Sequence, residues 1–247
     1  MYAYLFDSFL QERKYQHDIG QIENRLSTLG IQGKIEKMTI LKNIQEAARQ
    51  AIKRGVATLV VVGNDETITK VLPQIIDSDV TLGLIPLGPQ QTIARALGIP
   101  DGVVACDVLS RRILRRLDLG RANAVYFLFN LVAPADVTVD CGGQYRVTSL
   151  DPAGSLMTAN FPPAGTAGQP DDGRLELIVT PGRGARGWLP GRRSSGGSVF
   201  SITKAKFTSP AGPVNLTLDG QVTVKTPATV EVVRRKLEVI VGKDRAF

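Results

Sequence analysis

The stretch VVVGNDETITKVL, Val60 to Leu72, brings together residue types that hold phosphate or metal. An apolar run ends at Gly63. Asn64, the adjacent acids Asp65 and Glu66, and Thr67 follow, and then apolar residues at helical spacing. A strand that passes through glycine into a helix presents backbone N–H groups to an anion. Gly63 is therefore either a phosphate turn or an ordinary strand-to-helix glycine. Asp65 is either an oxygen ligand for a metal cation or a helix N-cap. Thr67 either donates its hydroxyl to a phosphate or caps the same helix. Two carboxylates about 4 Å apart, at an effective dielectric near 20, repel by roughly 4 kcal/mol unless a cation offsets them.

Other chemistry-bearing residues are sparse. Asp219–Gly220 is a strong hairpin-turn signal, and a turn can also present an acid. Asp172 lies in the acidic turn PDDG, as a solvated loop acid or as an oxygen ligand. The only histidine, His17, sits in a polar helical stretch, which leaves little room for Ser-His-Asp, Cys-His or His-metal mechanisms. The two cysteines, Cys106 and Cys141, form neither a framework nor a metal cluster, so a reducing cytoplasm is expected. The formal charge of +7 favours an anionic partner. Arg183, Arg186, Arg192 and Arg193 surround Trp188, a composition for an anionic membrane surface, a nucleic acid or a plain solvated loop. RRILRR, Arg111 to Arg116, is read as a charged helix face.

These residues need positioning elements. In a chain of 247 residues, 43% hydrophobic, no apolar run is long enough to span a bilayer. The first residues place apolar side chains before charges, the reverse of a signal peptide, so a first strand is expected at Tyr2–Phe6. Strands at 34–37, 58–62 and 81–86 then alternate with helices at 18–29, 39–54, 68–76, 90–97 and 104–116. This pattern predicts a parallel sheet with helices on both faces, a three-layer α/β domain over 1–120. Beyond Leu117 the helical period fades. Short β-prone segments appear at 124–132, 136–139, 145–149, 174–180, 199–206, 214–218, 221–223 and 229–233. They predict an all-β antiparallel sandwich over 121–247, whose last strand can return to the first domain, with the active site in the cleft between the two.

The quoted stretch stands where the diacylglycerol kinase and sphingosine kinase superfamily carries GGDGT. The segment LGLIPLGPQQTIARALGIP, Leu82 to Pro100, resembles that family's LGIIPLGTGNDFARTLGIP. LDLGRAN with FLFN, then PDDGRLEL, then LTLDGQ and a closing KLEVIV follow in the family's order. The resemblance implies a two-domain lipid kinase fold, ATP as phosphate donor with Mg2+, and a lipid hydroxyl as acceptor. It implies a nucleotide site at Gly63, Asn64, Glu66, Thr67, Gly88, Gln91 and Arg95. Mg2+ falls to Asp65, and a structural Mg2+ to Asp172. Asp65 and Asp219 become the catalytic acids, Asp219 as general base. The substrate implies peripheral membrane contact, with the Trp188 loop as its candidate; a homodimer stays open.

The chain departs from the family at several places. Asn64 and Glu66 replace glycines, Lys70 replaces an acid, and Pro89 to Ile93 replace T-G-N-D-F. The Asn-Pro turn after the first strand is absent, and Gln221 stands for a Glu. Two functions follow as alternatives: a lipid kinase, or a lipid-kinase fold without catalysis that binds lipid or regulates. A nucleic-acid-binding protein ranks last, because no nucleic-acid module is recognisable.

Overall fold

The computed structural model describes residues 1–39, 41–161, 168–181 and 197–247. Contacts divide the chain into two units, Met1–Leu117 with Lys236–Phe247, and Asp118–Arg235. The Arg183–Arg193 loop with Trp188 lies outside the described residues.

In the first unit the strands are β1 (Tyr2–Phe6), β2 (Gly33–Lys37), β3 (Thr58–Gly63) and β4 (Thr81–Pro86). They pair in parallel in the order β2-β1-β3-β4. The apolar runs of β1, β3 and β4 are continuous because helices cover them, and every residue of β3 and β4 is buried, whereas the edge strand β2, GKIEK, is mostly exposed. The helices are α1 (Gln16–Thr28), α2 (Ile44–Lys53), α3 (Asp65–Ile75), α4 (Thr92–Ala96) and α5 (Ala105–Arg111). Helix α1 buries Ile19, Ile22 and Leu26 and packs against α5, while α2 packs against α3. The alternating α/β half expected from the sequence is present.

Two helix boundaries differ from expectation by five residues, α3 begins at Asp65 rather than at 68, and the other ends shift by one or two. Helix α2 starts at Ile44 and not at Thr39. Thr39 bridges to Lys42, and the side chain of Asn43 accepts the Gln45 N–H at 2.8 Å, so the cap sits at Asn43. The helix expected over 104–116 ends at Arg111. Arg112 takes a left-handed conformation, φ 49°, and a strand begins at Leu114. RRILRR is thus no single helix face: Arg112 donates to Thr58 Oγ1 at 2.8 Å, and Arg116 pairs with Glu238 at 3.3 Å.

The second unit is built of strands, as the fading helical period predicts. They are β5 (Leu114–Ala122, shared with the first unit), β6 (Val125–Phe127), β7 (Asn130–Pro134), β8 (Thr138–Cys141), β9 (Tyr145–Thr148) and β10 (Ser155–Ala159). After them come β11 (Leu175–Thr180), β12 (Ser198–Ile202), β13 (Lys204–Thr208), β14 (Asn215–Leu218), β15 (Val222–Lys225) and β16 (Ala228–Ile240). One antiparallel sheet runs β12-β11-β10-β7-β14-β15. Its inner side chains, among them Leu131, Leu156, Leu177 and Leu216, share a core with Phe127, Val139, Phe207 and Val230. Each such fully buried side chain contributes about 1.5–3 kcal/mol.

The strand expected at 124–132 is split at Leu128–Phe129, where the backbone turns its amides toward the Asp219 side chain. The one expected at 199–206 is split between Ile202 and Lys204. Strand β10 was not expected. Strand β16 changes unit along its length: Thr229 pairs with Lys206 of β13, while Val239 pairs in parallel with Leu82 of β4.

Candidate nucleotide-binding and catalytic site

The local sequence explains the turn after β3. Gly63 closes the strand with Thr67 packed on it, so that a Cβ there would lie 2.5 Å from Thr67 Oγ1. This contact, rather than a special backbone angle, demands glycine. Asn64 is extended, φ −116°, and caps α3: its Oδ1 accepts the Thr67 N–H at 3.1 Å, while its own N–H donates to Thr67 Oγ1 at 3.3 Å. The Thr67 hydroxyl donates to Asp7 Oδ2 at 2.7 Å. Thr67 is fully buried and Asp7 is 8% exposed. This hydroxyl is committed to the end of β1.

Asp65 does not cap its own helix. Its carboxylate accepts the backbone N–H groups of Thr92 at 2.8 Å and Ile93 at 3.1 Å, the first turn of α4. Its own N–H donates to the Gln90 carbonyl at 2.9 Å. Helix α4 has no side-chain cap from its own N-cap residue, Gln91, so Asp65 supplies one from another segment. One carboxylate thus fastens the turn after β3 to the turn after β4. Burial raises the Asp65 pKa above the ordinary carboxylate value, and the Ile93 and Thr92 hydrogen bonds and the nearby Arg95 charge hold the rise back.

The second turn is also tied internally. The Gln91 amide donates to the Gly88 carbonyl at 2.7 Å, and Gln91 Oε1 is buried without a partner. Gly88 has φ +100°, and the Phe9 ring lies against it: a Cβ at Gly88 would stand 2.7 Å from Phe9 Cε2. The Phe9 ring in turn meets Tyr15 edge-on at 5.6 Å. The residues after β1 therefore lay an aromatic ring against Gly88. Pro89 has no N–H to offer. Glu66 pairs with Lys70 at 2.7 Å, and both side chains are about half exposed. The repulsion expected between Asp65 and Glu66 is met by Lys70 on one side and by the α4 amides on the other. A cavity of about 290 Å³ opens at the carboxyl ends of β1 and β2, lined by Phe6, Asp7, Leu10, Gln11, Gln16, Ile19 and Lys37.

Asp219 and Asp172 belong to the second unit. Asp219 and Gly220 are the central residues of the hairpin turn between β14 and β15, φ 48° and 69°. The Asp219 carboxylate accepts the N–H groups of Leu128 at 2.8 Å, Phe129 at 2.8 Å and Asn130 at 2.9 Å. The turn and an oriented acid coexist. Asp172 is exposed, and its oxygens accept the Gln169 and Arg174 N–H groups of its own turn at 3.1 and 2.9 Å.

The acid that organises this region is one that the sequence analysis did not single out. Asp118 is fully buried; it accepts the Gly173 N–H at 2.6 Å and the Arg235 N–H at 2.7 Å. An acid flanked by leucines in LDLG was the available signal. Asp7, between Phe6 and Ser8 at the end of β1, was likewise not singled out. Among the described residues no three His, Cys, Asp or Glu side chains cluster to hold a metal. Mg2+ uses one or two carboxylates with water and substrate phosphates. Asp65 fits that limited role, since each oxygen keeps a lone pair beyond its amide bond.

Residues 7–122 match the family model for the diacylglycerol kinase catalytic domain. The chain is 30% identical over 148 residues to a diacylglycerol kinase of Bacillus subtilis (strain 168), covering 58% of this chain and 46% of that protein. It is 33% identical over 96 residues to a diacylglycerol kinase of Staphylococcus saprophyticus, covering 38% of this chain and 31% of that one. The matched stretches thus span less than half the length of these relatives. A solved diacylglycerol kinase structure from Bacillus anthracis str. Sterne superposes with a TM-score of 0.81 at 15% identity, covering 98% of this chain and 97% of that one. At that identity the likeness establishes the fold.

Proposed function

We propose that the chain, whose residues 7–122 match the family model for the diacylglycerol kinase catalytic domain, transfers the γ-phosphoryl group of ATP to the hydroxyl of a diacylglycerol-like lipid. The observation that carries this reading is Asp65, a half-buried carboxylate that locks the turns after β3 and β4 together at the carboxyl ends of parallel strands. Ligands of open α/β sheets bind outside those ends. The cavity of about 290 Å³ lies at the ends of β1 and β2 and meets these turns only through Asp7, which accepts the Thr67 hydroxyl.

In this reading Gly63, Asn64, Gly88, Gln91 and Arg95 shape and charge the nucleotide site, and Thr67 braces it from below. Asp65 is the residue that would hold Mg2+, directly or through water, and the ion would neutralise charge on the phosphates. Glu66, paired with Lys70, contributes through the rim. Asp219 accepts the proton of the lipid hydroxyl as the lipid oxygen bonds to the γ-phosphorus and the bond from that phosphorus to the bridging oxygen breaks, releasing ADP. Three backbone donors give its carboxylate a set orientation, as a general base requires. Asp172 would hold a structural cation with the lone pairs that its turn amides leave.

A second reading, a lipid-binding protein without phosphotransfer, is favoured by one specific observation. The phosphate-type turns spend their groups internally: Thr67 on Asp7, Gln91 on Gly88, and Phe9 over Gly88. Calorimetry with Mg-ATP on wild type and Asp65→Ala, together with a phosphate-transfer assay on diacylglycerol micelles, separates the two. Magnesium-dependent binding that is lost in the variant, with transfer to lipid, supports the kinase. Lipid binding without nucleotide binding at millimolar ATP overturns it in favour of the second reading.

A further inference from the structure

The β2–α2 connection carries a group that phosphoryl transfer does not use. Glu36 on the edge strand β2 is 6% exposed and is surrounded by three cations: Lys34 at 2.7 Å, Lys42 at 2.7 Å and Arg54 at 3.2 Å. Burial works against its charge, but the hydrogen bonds from Lys34 and Lys42 prevail and bring its pKa down to about 2. Glu36 therefore stays ionised and acts as a buried anchor. Three positive charges against one negative leave a local charge of +2. The three cationic side chains remain 48%, 45% and 48% exposed while their heads pair with Glu36. Next to Lys42 stands Leu41, 97% exposed. Lys37, 48% exposed and paired with Glu23, lies at the end of the same strand.

A lone exposed leucine is ordinary on a protein surface. Here it stands on the rim of like charges that a buried carboxylate holds together, and such a cluster attracts a dense array of anions. We propose that this turn is a docking tip for an anionic phospholipid bilayer: Leu41 enters the interface, and Lys34, Lys42 and Arg54 meet the lipid phosphates. Apolar insertion next to a basic rim is the chemistry of peripheral membrane contact. Charge complementarity selects an anionic surface over a neutral one. The proposal leans on the lipid-acceptor reading only in that a bilayer presents such an acceptor.

The test is sedimentation of the full chain with phosphatidylcholine vesicles, with and without phosphatidylglycerol, in the absence of nucleotide. Wild type is expected to sediment with the phosphatidylglycerol vesicles and to be released by salt. Leu41→Asp is expected to partition about tenfold more weakly, the low end of what burying one leucine confers. Its thermal melt should not move, because the side chain is exposed. Lys34→Gln with Lys42→Gln should remove the dependence on phosphatidylglycerol. Equal binding by wild type and Leu41→Asp overturns the proposal. So does competition by inorganic phosphate that matches the vesicles, which assigns the cluster to a free anion. A concentration-dependent dimer abolished by Leu41→Asp reassigns the tip to a second copy of the chain. Since no ATP is present, failure here leaves the calorimetric test of the kinase untouched, and the converse also holds.

Discussion

Thr67→Val is the perturbation that most directly tests how the turn after β3 is built. The hydroxyl is fully buried, donates to Asp7 Oδ2 at 2.7 Å and accepts the Asn64 N–H at 3.3 Å. Valine keeps the branched shape and removes both bonds. Asp7 and Asn64 are 8% and 9% exposed, so water replaces the lost partner poorly. A hydrogen bond to a charged group contributes about 1.5–3 kcal/mol and a neutral one about 1, which puts the loss near 3 kcal/mol. For a chain of this size that corresponds to a fall in Tm of about 6–12 °C. Thermal unfolding followed by circular dichroism reads it, and Thr67→Ser should recover most of the stability. A loss below about 1 kcal/mol would refute the reasoning. A variant of native stability that no longer binds Mg-ATP would show instead that the hydroxyl serves the ligand.

Further outcomes follow from neighbouring contacts. Gly88→Ala should cost about 2 kcal/mol, because it forces a left-handed backbone on alanine as well as a clash with Phe9. In a Phe9→Ala background part of that cost should disappear, and a double-mutant cycle of chemical denaturation midpoints measures the coupling. The folded pKa of Glu36, about 2, lies below its ordinary 4.5; its stabilisation is therefore complete above pH 4.5 and fades as the pH falls toward 2. Glu36→Gln should remove that pH dependence and cost about 2 kcal/mol at neutral pH, after a discount for the half-exposed cations, as acid titration of the melt would reveal. Glu66→Ala should change stability by less than about 0.5 kcal/mol, since it loses only an exposed helical pair.

The backbone was more legible in the sequence than the site. Residues 81–86 read as a strand because an apolar run between turn residues has little alternative, and the observed β4 has those bounds. The helix boundary at Asn43 was missed because apolar periodicity continued upstream and outweighed the capping signal of Asn43 with Glu46 three residues on. Ile113–Leu114 within RRILRR suits a helix face or a strand equally, and pairing beyond Arg112 selects the strand. The pairing of Glu66 with Lys70 was latent in their spacing. That Asp65 would cap α4, 27 residues away, and that Thr67 would reach Asp7, 60 residues away, depends on tertiary contacts that no local pattern encodes. The same holds for Asp118, whose partners lie 55 and 117 residues along the chain.

The last strand also imposes an order in time. Leu82 of β4 meets Val239, and Thr81 donates to Glu238, 157 residues farther along. During synthesis at about 5–20 residues per second, the β4 edge of the first sheet therefore waits roughly 8–30 s for its neighbour. An unpaired, wholly buried-type strand is a template for wrong partners during that interval. The nascent first unit is thus the stage at which this chain most needs a chaperone. Loss of the segment beyond Arg235 would turn that passing exposure into a permanent aggregation surface.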